Sequence, residues 1–155
     1  FRNYELLRDH SPHSNKSMLC YCNFSVDTHS LRQSLYASLK SNSFITFQHM
    51  GGFLSYPISR EEFMRDLGEA KFCICPRGNA LDTFSLWDSL FSGTVPIVVR
   101  EAYFHDLLDD LPILFLDSYE EFSKLTPDYL ESIYQDFLVR KFNYEKLTRR
   151  YWLEI

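Results

Sequence analysis

A short polar turn in the middle of the chain carries the residues best suited to chemistry. It follows the apolar run 72–75, which predicts a buried strand, and it precedes a predicted helix capped by Asp82 or Thr83. A helix N-terminus presents unpaired amide N–H groups and partial positive charge, so it attracts phosphate. Arg77 adds a full positive charge, and Gly78 lets the backbone approach a ligand closely. The candidate diphosphate contacts in this turn are Arg77, Gly78, Asn79, Asp82 and Thr83.

A carboxylate lies further along the same predicted helix. Asp88 follows the turn by one and a half helical turns, roughly 8–9 Å along the axis. That distance suits a ribose whose pyrophosphate lies at the start of the helix. The alternative is that Arg77 pairs with a surface acid, Asp82 only caps the helix and Asp88 is solvated. Phosphate-binding turns are usually richer in glycine, which favours this alternative.

The elements around the turn predict the fold class. The helix ends at Gly93, and the apolar run 95–99 predicts a second buried strand. A strand, a helix and a second strand in this order form a right-handed crossover of a parallel sheet. One face of the helix is predicted to carry Phe84, Trp87, Leu90 and Phe91 inward.

The same alternation continues along the chain. Residues 17–155 predict an α/β fold, a Rossmann-like three-layer sandwich with a parallel sheet of about five strands and helices on both faces. A capping box of Ser59 and Glu62 predicts a helix over Arg60–Gly68. Further predicted elements are a first strand within 17–26, helix 31–40, strand 43–48, a last strand over 111–116 and a final helix over 144–153. Residues 1–16 are polar and predict a linker or the end of a preceding lobe.

Two other loops leave the carboxyl ends of predicted strands, where open α/β sheets bind ligands. His49, Gly51 and Gly52 follow the second strand, and this loop either admits a base or sugar or only turns the chain. Arg100 and Glu101 follow the strand 95–99. Arg100 is a candidate diphosphate contact and Glu101 a candidate contact for sugar hydroxyls. The alternative is an exposed ion pair, which contributes little to stability.

The four cysteines fall in two C-x-C pairs, each on one face of its strand. If the two strands are the first and fourth, they are neighbours in the sheet, and the four thiols can cluster. Zinc is one interpretation, although zinc sites favour C-x₂₋₄-C spacing on flexible loops. Buried reduced thiols are the favoured interpretation. They weakly indicate a reducing, cytoplasmic compartment.

Composition excludes several functional classes. Hydrophobic residues make up 45% of the 155 residues and aromatic residues 17%, which is too much to bury for a disordered chain. The net charge of −5 argues against a nucleic-acid partner, which favours a basic face. No apolar run reaches the length of about 20 residues that a membrane span needs.

The stretch KFCICPRGNALDTFSLWDSLFSGTVPIVV resembles the donor-site signature of exostosin-type glycosyltransferases of the two-Rossmann-domain (GT-B) class. The matching positions are Lys71, Phe72, Pro76, Arg77, Gly78, Asp82, Trp87, Leu90, Gly93, Pro96, Ile97 and Val98. Three positions depart from the pattern. Ala80 replaces a second glycine, Ser85 replaces an arginine, and Asp88 replaces a glutamate. In similar transferases an arginine after the first strand points into the cleft, which makes Arg32 a further candidate for donor binding. Arg32 also lies in the first turn of the predicted helix 31–40, where a cation is unfavourable for the helix dipole, and this favours a ligand or an acid as its partner.

The resemblance implies transfer of a sugar from a UDP- or GDP-linked donor to a glycan or other hydroxyl acceptor. It implies no metal or other cofactor, because a helix N-terminus and a basic side chain stabilise the departing diphosphate. A second Rossmann-like lobe of the same enzyme is an expected partner, and the catalytic base usually comes from it. No base is identified in this chain. Exostosin-like enzymes of animals and plants act in the Golgi lumen, which is the alternative to a cytoplasmic location.

Three other functions compete with this interpretation. The first is a non-catalytic binding module on a degenerate transferase fold, since the arginine expected at Ser85 is missing. The second is a dinucleotide oxidoreductase, which the missing G-x-G-x-x-G after the first strand disfavours. The third is a receiver-like regulatory domain, but no acidic cluster closes the first strand.

Overall fold

The computed structural model of the protein describes residues 11–48 and 58–154. The strands are β1 Met18–Cys22, β2 Ile45–Phe47, β3 Ala70–Ile74, β4 Val95–Val99 and β5 Leu114–Leu116. The α-helices are α1 Ser30–Leu39, α2 Arg60–Gly68, α3 Phe84–Phe91, α4 Tyr103–Asp106, α5 Pro127–Val139 and α6 Arg149–Leu153. Short 3₁₀ segments cover Val26–Thr28, Tyr119–Lys124 and Tyr144–Leu147.

The five strands form one parallel sheet in the order β2-β1-β3-β4-β5. Helices α1 and α5 pack on one face through Leu35, Leu39 and Tyr134. Helices α2 and α3 pack on the other face through Leu67 and Leu90. The predicted α/β Rossmann-like sandwich with helices on both faces is therefore confirmed.

The strand order places a topological switch point at the centre of the sheet. The chain runs outward from β1 to β2 and then returns to β3 on the other side of β1. At such a point the loops that follow two adjacent strands diverge, and they leave a crevice at the carboxyl edge of the sheet. Here the two loops are 23–29 after β1 and the turn 75–83 after β3.

The bounds of α2 agree with the prediction. Ser59 Oγ accepts from the amide of Glu62 at 3.1 Å, and the Glu62 carboxylate accepts from the Ser59 amide at 2.9 Å. Both halves of the capping box are therefore formed. This reciprocal pair satisfies two amides that otherwise lack a partner at a helix start.

The inward face of α3 agrees with the prediction at Leu90 and differs from it at Phe84. Leu86 and Leu90 are fully buried, whereas Phe84 is 88% exposed and Trp87 and Phe91 are half-buried. The register of the helix explains the difference. Phe84 is two residues from Leu86, which places it about 200° away around the helix axis.

The cysteine pairs lie on opposite faces of the sheet, which corrects the expectation that they cluster. Their strands β1 and β3 are neighbours, but they are the first and third strands. The register pairs Cys20 with Phe72 and Tyr21 with Cys73, so the two pairs alternate. All four cysteines are free and buried. Within residues 11–48 and 58–154, no group of three or more His, Cys, Asp or Glu side chains is placed to hold a metal ion.

The C-terminal elements are shorter than predicted. The last strand starts at Leu114, and the predicted helix over 144–153 is divided by Thr148, whose Oγ1 accepts from the Tyr151 amide as the cap of α6.

None of the helices in the described parts of the chain is long and apolar enough to cross a bilayer.

Candidate functional site

The backbone of the turn after β3 is held in place by hydrogen bonds from a buried arginine. Arg32, in the first turn of α1, donates from Nε to the carbonyl of Arg77 at 2.7 Å and from Nη2 to the carbonyl of Pro76 at 2.9 Å. Its Nη1 donates to the carbonyl of Ser25, in the loop after β1, at 3.0 Å. A planar guanidinium with fixed donors suits three carbonyls better than a single ammonium would. Arg32 therefore ties together the two loops that diverge at the switch point.

This brace also orients the backbone of the turn. A trans peptide is planar, so its N–H points away from its own carbonyl. Because the carbonyls of Pro76 and Arg77 face Arg32, the amides of Arg77 and Gly78 face the other side of the turn. The Gly78 amide donates to the carbonyl of Ala80 at 3.1 Å. The turn is a compact loop with its carbonyls directed inward.

Gly78 lies so close to Arg32 that a larger residue at this position would displace the arginine side chain. A Cβ at this position would lie 3.1 Å from Arg32 Nη2 and 3.8 Å from Thr28 Oγ1. The first distance is tighter than ordinary van der Waals contact, and the guanidinium is fixed by its three carbonyls. A side chain at position 78 would therefore force the Arg32 guanidinium to shift by a few tenths of an ångström.

Helix α3 begins directly after the turn, and no side-chain hydrogen bond caps its first turn. Thr83 occupies the cap position, but its hydroxyl lies 3.0 Å from the Ser85 hydroxyl and does not accept from an amide. Asn79 and Asp82 are exposed in the preceding loop. The positive end of the helix dipole therefore opens toward the turn without a carboxylate cap.

Arg77 is paired with Glu101 across the turn. Its Nη1 donates to the Glu101 carboxylate at 2.9 Å, and both side chains are mostly buried. Tyr119, at the start of the 3₁₀ segment after β5, lies beside the same carboxylate. Burial, and secondarily this carboxylate, raise the pKa of Tyr119 to about 12. The acid that the sequence placed near sugar hydroxyls holds the basic side chain of the turn in this structure.

The backbone of Glu101 is fixed by a buried histidine. The Glu101 amide donates to His105 Nδ1 at 3.0 Å, and His105 is 2% exposed. Burial lowers the pKa of His105, so its neutral form is favoured and Nδ1 is free to accept. The neighbour Arg100 is engaged elsewhere, by Asp106 at 2.7 Å and by Asp109. A diphosphate contact by Arg100 would require it to leave these two carboxylates.

Asp88 lies beside a pocket between α2 and α3. Arg60 donates to both of its carboxylate oxygens, each at 2.6 Å. The pocket has a volume of about 440 Å³ and is also lined by Trp87, Phe91 and Trp152. The ribose contact predicted for Asp88 remains a prediction. The predicted base-side residues His49, Gly51 and Gly52 lie outside the described residues.

Sequence reasoning missed two residues at this site. Arg60 stands in the first turn of α2, where a cation opposes the helix dipole. The same argument applied to Arg32 indicated a partner, so the signal for Arg60 was present. Tyr119 begins the 3₁₀ segment after the last strand, near the edge where ligands bind, but a tyrosine there has no distinctive pattern.

Comparisons with known proteins place the chain in a family. The exostosin GT47 domain matches residues 5–120, more than half of the chain. A comparison with curated proteins gave no match. Among solved structures, the crystal structure of an α1,3-fucosyltransferase is similar, with a TM-score of 0.53 and 17% sequence identity over 83% of this chain. At this identity the likeness concerns the fold, and the chain spans only 39% of that structure's length. The chain belongs to the exostosin GT47 family and has the Rossmann-like α/β fold of exostosin-like GT-B glycosyltransferases.

Proposed function

We propose that this domain binds a nucleoside-diphosphate sugar for transfer of the sugar to a hydroxyl group of a glycan acceptor. The observation that carries the proposal is the turn 75–83 in a GT47-family domain. Arg32 fixes the backbone of the turn, Gly78 places no side chain in it, and the start of α3 has no side-chain cap. These features together suit a diphosphate.

The proposed chemistry is stabilisation of the departing diphosphate. Negative charge grows on the leaving group as the bond to the sugar breaks, and preorganised donors aimed at that charge lower the barrier. The amides at the start of α3, the side chain of Arg77 and the hydroxyl of Thr83 are the donors we assign to this role. The proposal needs no metal ion for this step. A base for the acceptor hydroxyl would come from a second Rossmann-like lobe.

Binding of the diphosphate would require an exchange of partners at Arg77. In the structure its guanidinium is neutralised by Glu101 at 2.9 Å. A diphosphate carries more charge than one carboxylate and offers the bidentate geometry that arginine favours. We therefore expect Arg77 to turn to the ligand. Glu101 would then be free to accept from hydroxyl groups of the donor sugar.

Calorimetric titration with UDP and GDP tests this proposal, with and without EDTA. The wild-type chain is expected to bind at least one of them in both conditions, and Arg77→Ala is expected to lose most of the affinity. Arg65→Ala is the matched control, because Arg65 is an exposed arginine on α2 that pairs with its neighbour Asp66. Loss of binding in EDTA alone would contradict metal independence. No binding of either nucleotide by the wild type would contradict the donor site.

One observation favours a non-catalytic binding module as the second candidate. Ser85 stands where the family pattern has an arginine, and the remaining basic residue of the turn, Arg77, is already paired with Glu101. The site therefore offers a diphosphate less positive charge than the family pattern does. Nucleotide affinity separates the two candidates, since a module that has lost the donor would bind neither nucleotide.

A further inference from the structure

We propose that the pocket between α2, α3 and α6 binds a neutral saccharide unit of a glycan. This goes beyond the proposed function and does not depend on nucleotide binding at the turn 75–83. It gives Asp88 a glycan hydroxyl as partner in place of the donor ribose that the sequence predicts for it.

The size and position of the pocket suit a separate ligand. Its volume of about 440 Å³ lies within the range of small-molecule sites, about 300–1,000 Å³. Along α3 it is lined from Trp87, about 6 Å from the Thr83 cap, to Phe91, away from the turn. None of the turn residues 75–83 lines the pocket, so a ligand bound there leaves the turn free.

The walls provide aromatic surface on two sides. Trp87 and Phe91 come from α3, and Trp152 comes from α6 and is 38% exposed. The face of an aromatic ring carries partial negative charge, which attracts the C–H groups on the apolar face of a pyranose ring. The indole N–H of Trp152 donates to the carbonyl of Lys146 at 2.8 Å, so the ring is held at the rim of the pocket.

The charges of the pocket balance within the protein. Arg60 and Asp88 neutralise each other through two hydrogen bonds of 2.6 Å. The ammonium of Lys146 pairs with Asp110 and also donates to a backbone carbonyl. Among the described residues that line the pocket, every charged side chain thus has a partner of opposite charge, and none remains to attract an anion or a cation. A neutral ligand fits this balance.

The ion pair still has hydrogen-bonding capacity for that ligand. A guanidinium has five N–H donors, of which Arg60 uses two on Asp88, and a carboxylate accepts at about four positions. A wholly apolar ligand would remove water from these groups without replacing its hydrogen bonds, and this desolvation costs free energy. A ring with an apolar face and an edge of hydroxyl groups satisfies both walls, and this is the chemistry of a sugar.

Tryptophan fluorescence reports on this pocket alone. The chain contains two tryptophans, and both line the pocket. The experiment titrates the protein with the neutral disaccharides cellobiose, lactose and chitobiose and with the corresponding monosaccharides, using glucuronic acid as the anionic control. We expect a saturable change with at least one neutral disaccharide and a weaker response to glucuronic acid.

Variants test whether the response comes from the pocket. Trp152→Ala should weaken binding on the order of tenfold, read from the remaining Trp87. Tyr129→Ala removes a comparably exposed aromatic ring on α5, across the sheet, and should leave the affinity unchanged. Urea denaturation of both variants separates loss of binding from loss of folding. Arg77→Ala should bind the disaccharide normally even if it no longer binds nucleotide.

Three results would overturn the proposal. The first is the absence of a saturable response to every neutral disaccharide. The second is an unchanged affinity in a folded Trp152→Ala variant. The third is displacement of the disaccharide by UDP or GDP, which would assign the pocket to the donor nucleoside. Failure of nucleotide binding with intact disaccharide binding would contradict the proposed function only.

Discussion

Arg32 is a buried cation whose hydrogen-bond partners are carbonyl groups. It is 7% exposed, and its three hydrogen bonds go to the carbonyls of Ser25, Pro76 and Arg77. Burial lowers its pKa from the usual arginine value, but arginine stays protonated in proteins. A buried charge without a carboxylate is costly unless its hydrogen bonds are made. The hydrogen bonds to the three carbonyls offset that cost and fix the backbone of the turn.

Replacing Arg32 by lysine tests this role. A lysine keeps the charge but lacks the planar fork, so we expect it to leave at least one carbonyl unpaired. The free energy of unfolding should fall by on the order of 2 kcal/mol in urea denaturation. UDP or GDP should also bind more weakly, because the turn is no longer fixed. Arg65→Lys on the exposed face of α2 is the control and should change neither quantity. An equally stable Arg32→Lys variant with normal nucleotide binding would contradict the role.

Glu101 competes with a diphosphate for Arg77. The variant Glu101→Gln keeps the shape of the side chain and removes its charge. Nucleotide affinity in calorimetry should rise about two- to fivefold, the effect of a partly exposed ion pair. Glu131→Gln makes the same change in net charge at an ion pair with Lys71, between β3 and α5, and should leave the affinity unchanged. A lower affinity in Glu101→Gln would mean that Glu101 supports the site instead of competing for it.

The sequence showed which charged residues need a partner, but it did not show which groups those partners are. The dipole argument correctly indicated that Arg32 needs a partner, yet it favoured a ligand or an acid. The actual partners are backbone carbonyls of segments that are distant in the sequence. Sequence patterns identify charged side chains and turns, whereas backbone acceptors are present at every residue and give no signal.

At the scale of elements, a single lysine joins the ends of two helices. Lys16 is buried, and its ammonium donates to the carbonyl of Gly68 at the end of α2 and to the carbonyl of Ser92 after α3. It also donates to Thr94 Oγ1 at the start of β4. A cation is favourable at helix C-termini, where the dipole is negative. These contacts fix α2 and α3 relative to each other, and both helices form walls of the pocket.

The pH dependence of stability reports on this lysine. Burial lowers the pKa of Lys16 to about 8 from 10.5. Between these values the unfolded chain binds more protons than the folded chain, so the contribution of Lys16 to the free energy of unfolding rises with pH. Urea denaturation across this window should show the rise in the wild type relative to Lys16→Met, in which it is absent. Parallel curves for the two proteins would contradict a lowered pKa.

Sequence patterns predicted the helices better than their buried faces. The capping box gave the bounds of α2 because both of its interactions are local. On α3, the prediction was right for Leu90, wrong for Phe84, and it missed Leu86. Leu86 and Leu90 are buried there, and Phe84 is exposed. Which face is buried depends on how the strand–helix turn rotates the helix onto the sheet, and that rotation is set by tertiary contacts.

At the scale of the whole molecule, the strand order determines where the site forms. The switch point between β1 and β3 brings together the loop 23–29 and the turn 75–83, and Arg32 bonds to both. Alternation of strands and helices in the sequence was sufficient to predict the parallel sheet. The crevice itself follows from the order of strands in space, together with residues that the sequence separates by about fifty positions.

Amide chemical shifts provide the most direct test of a diphosphate at this turn. The measurement is a titration of the isotopically labelled protein with UDP or GDP, followed by NMR. We expect saturable shifts of the amides of Arg77, Gly78 and Phe84, with smaller shifts at Trp152 and the pocket. A nucleotide that saturates the protein while these three amides stay unchanged would contradict a diphosphate site at this turn, and so would the absence of any shift.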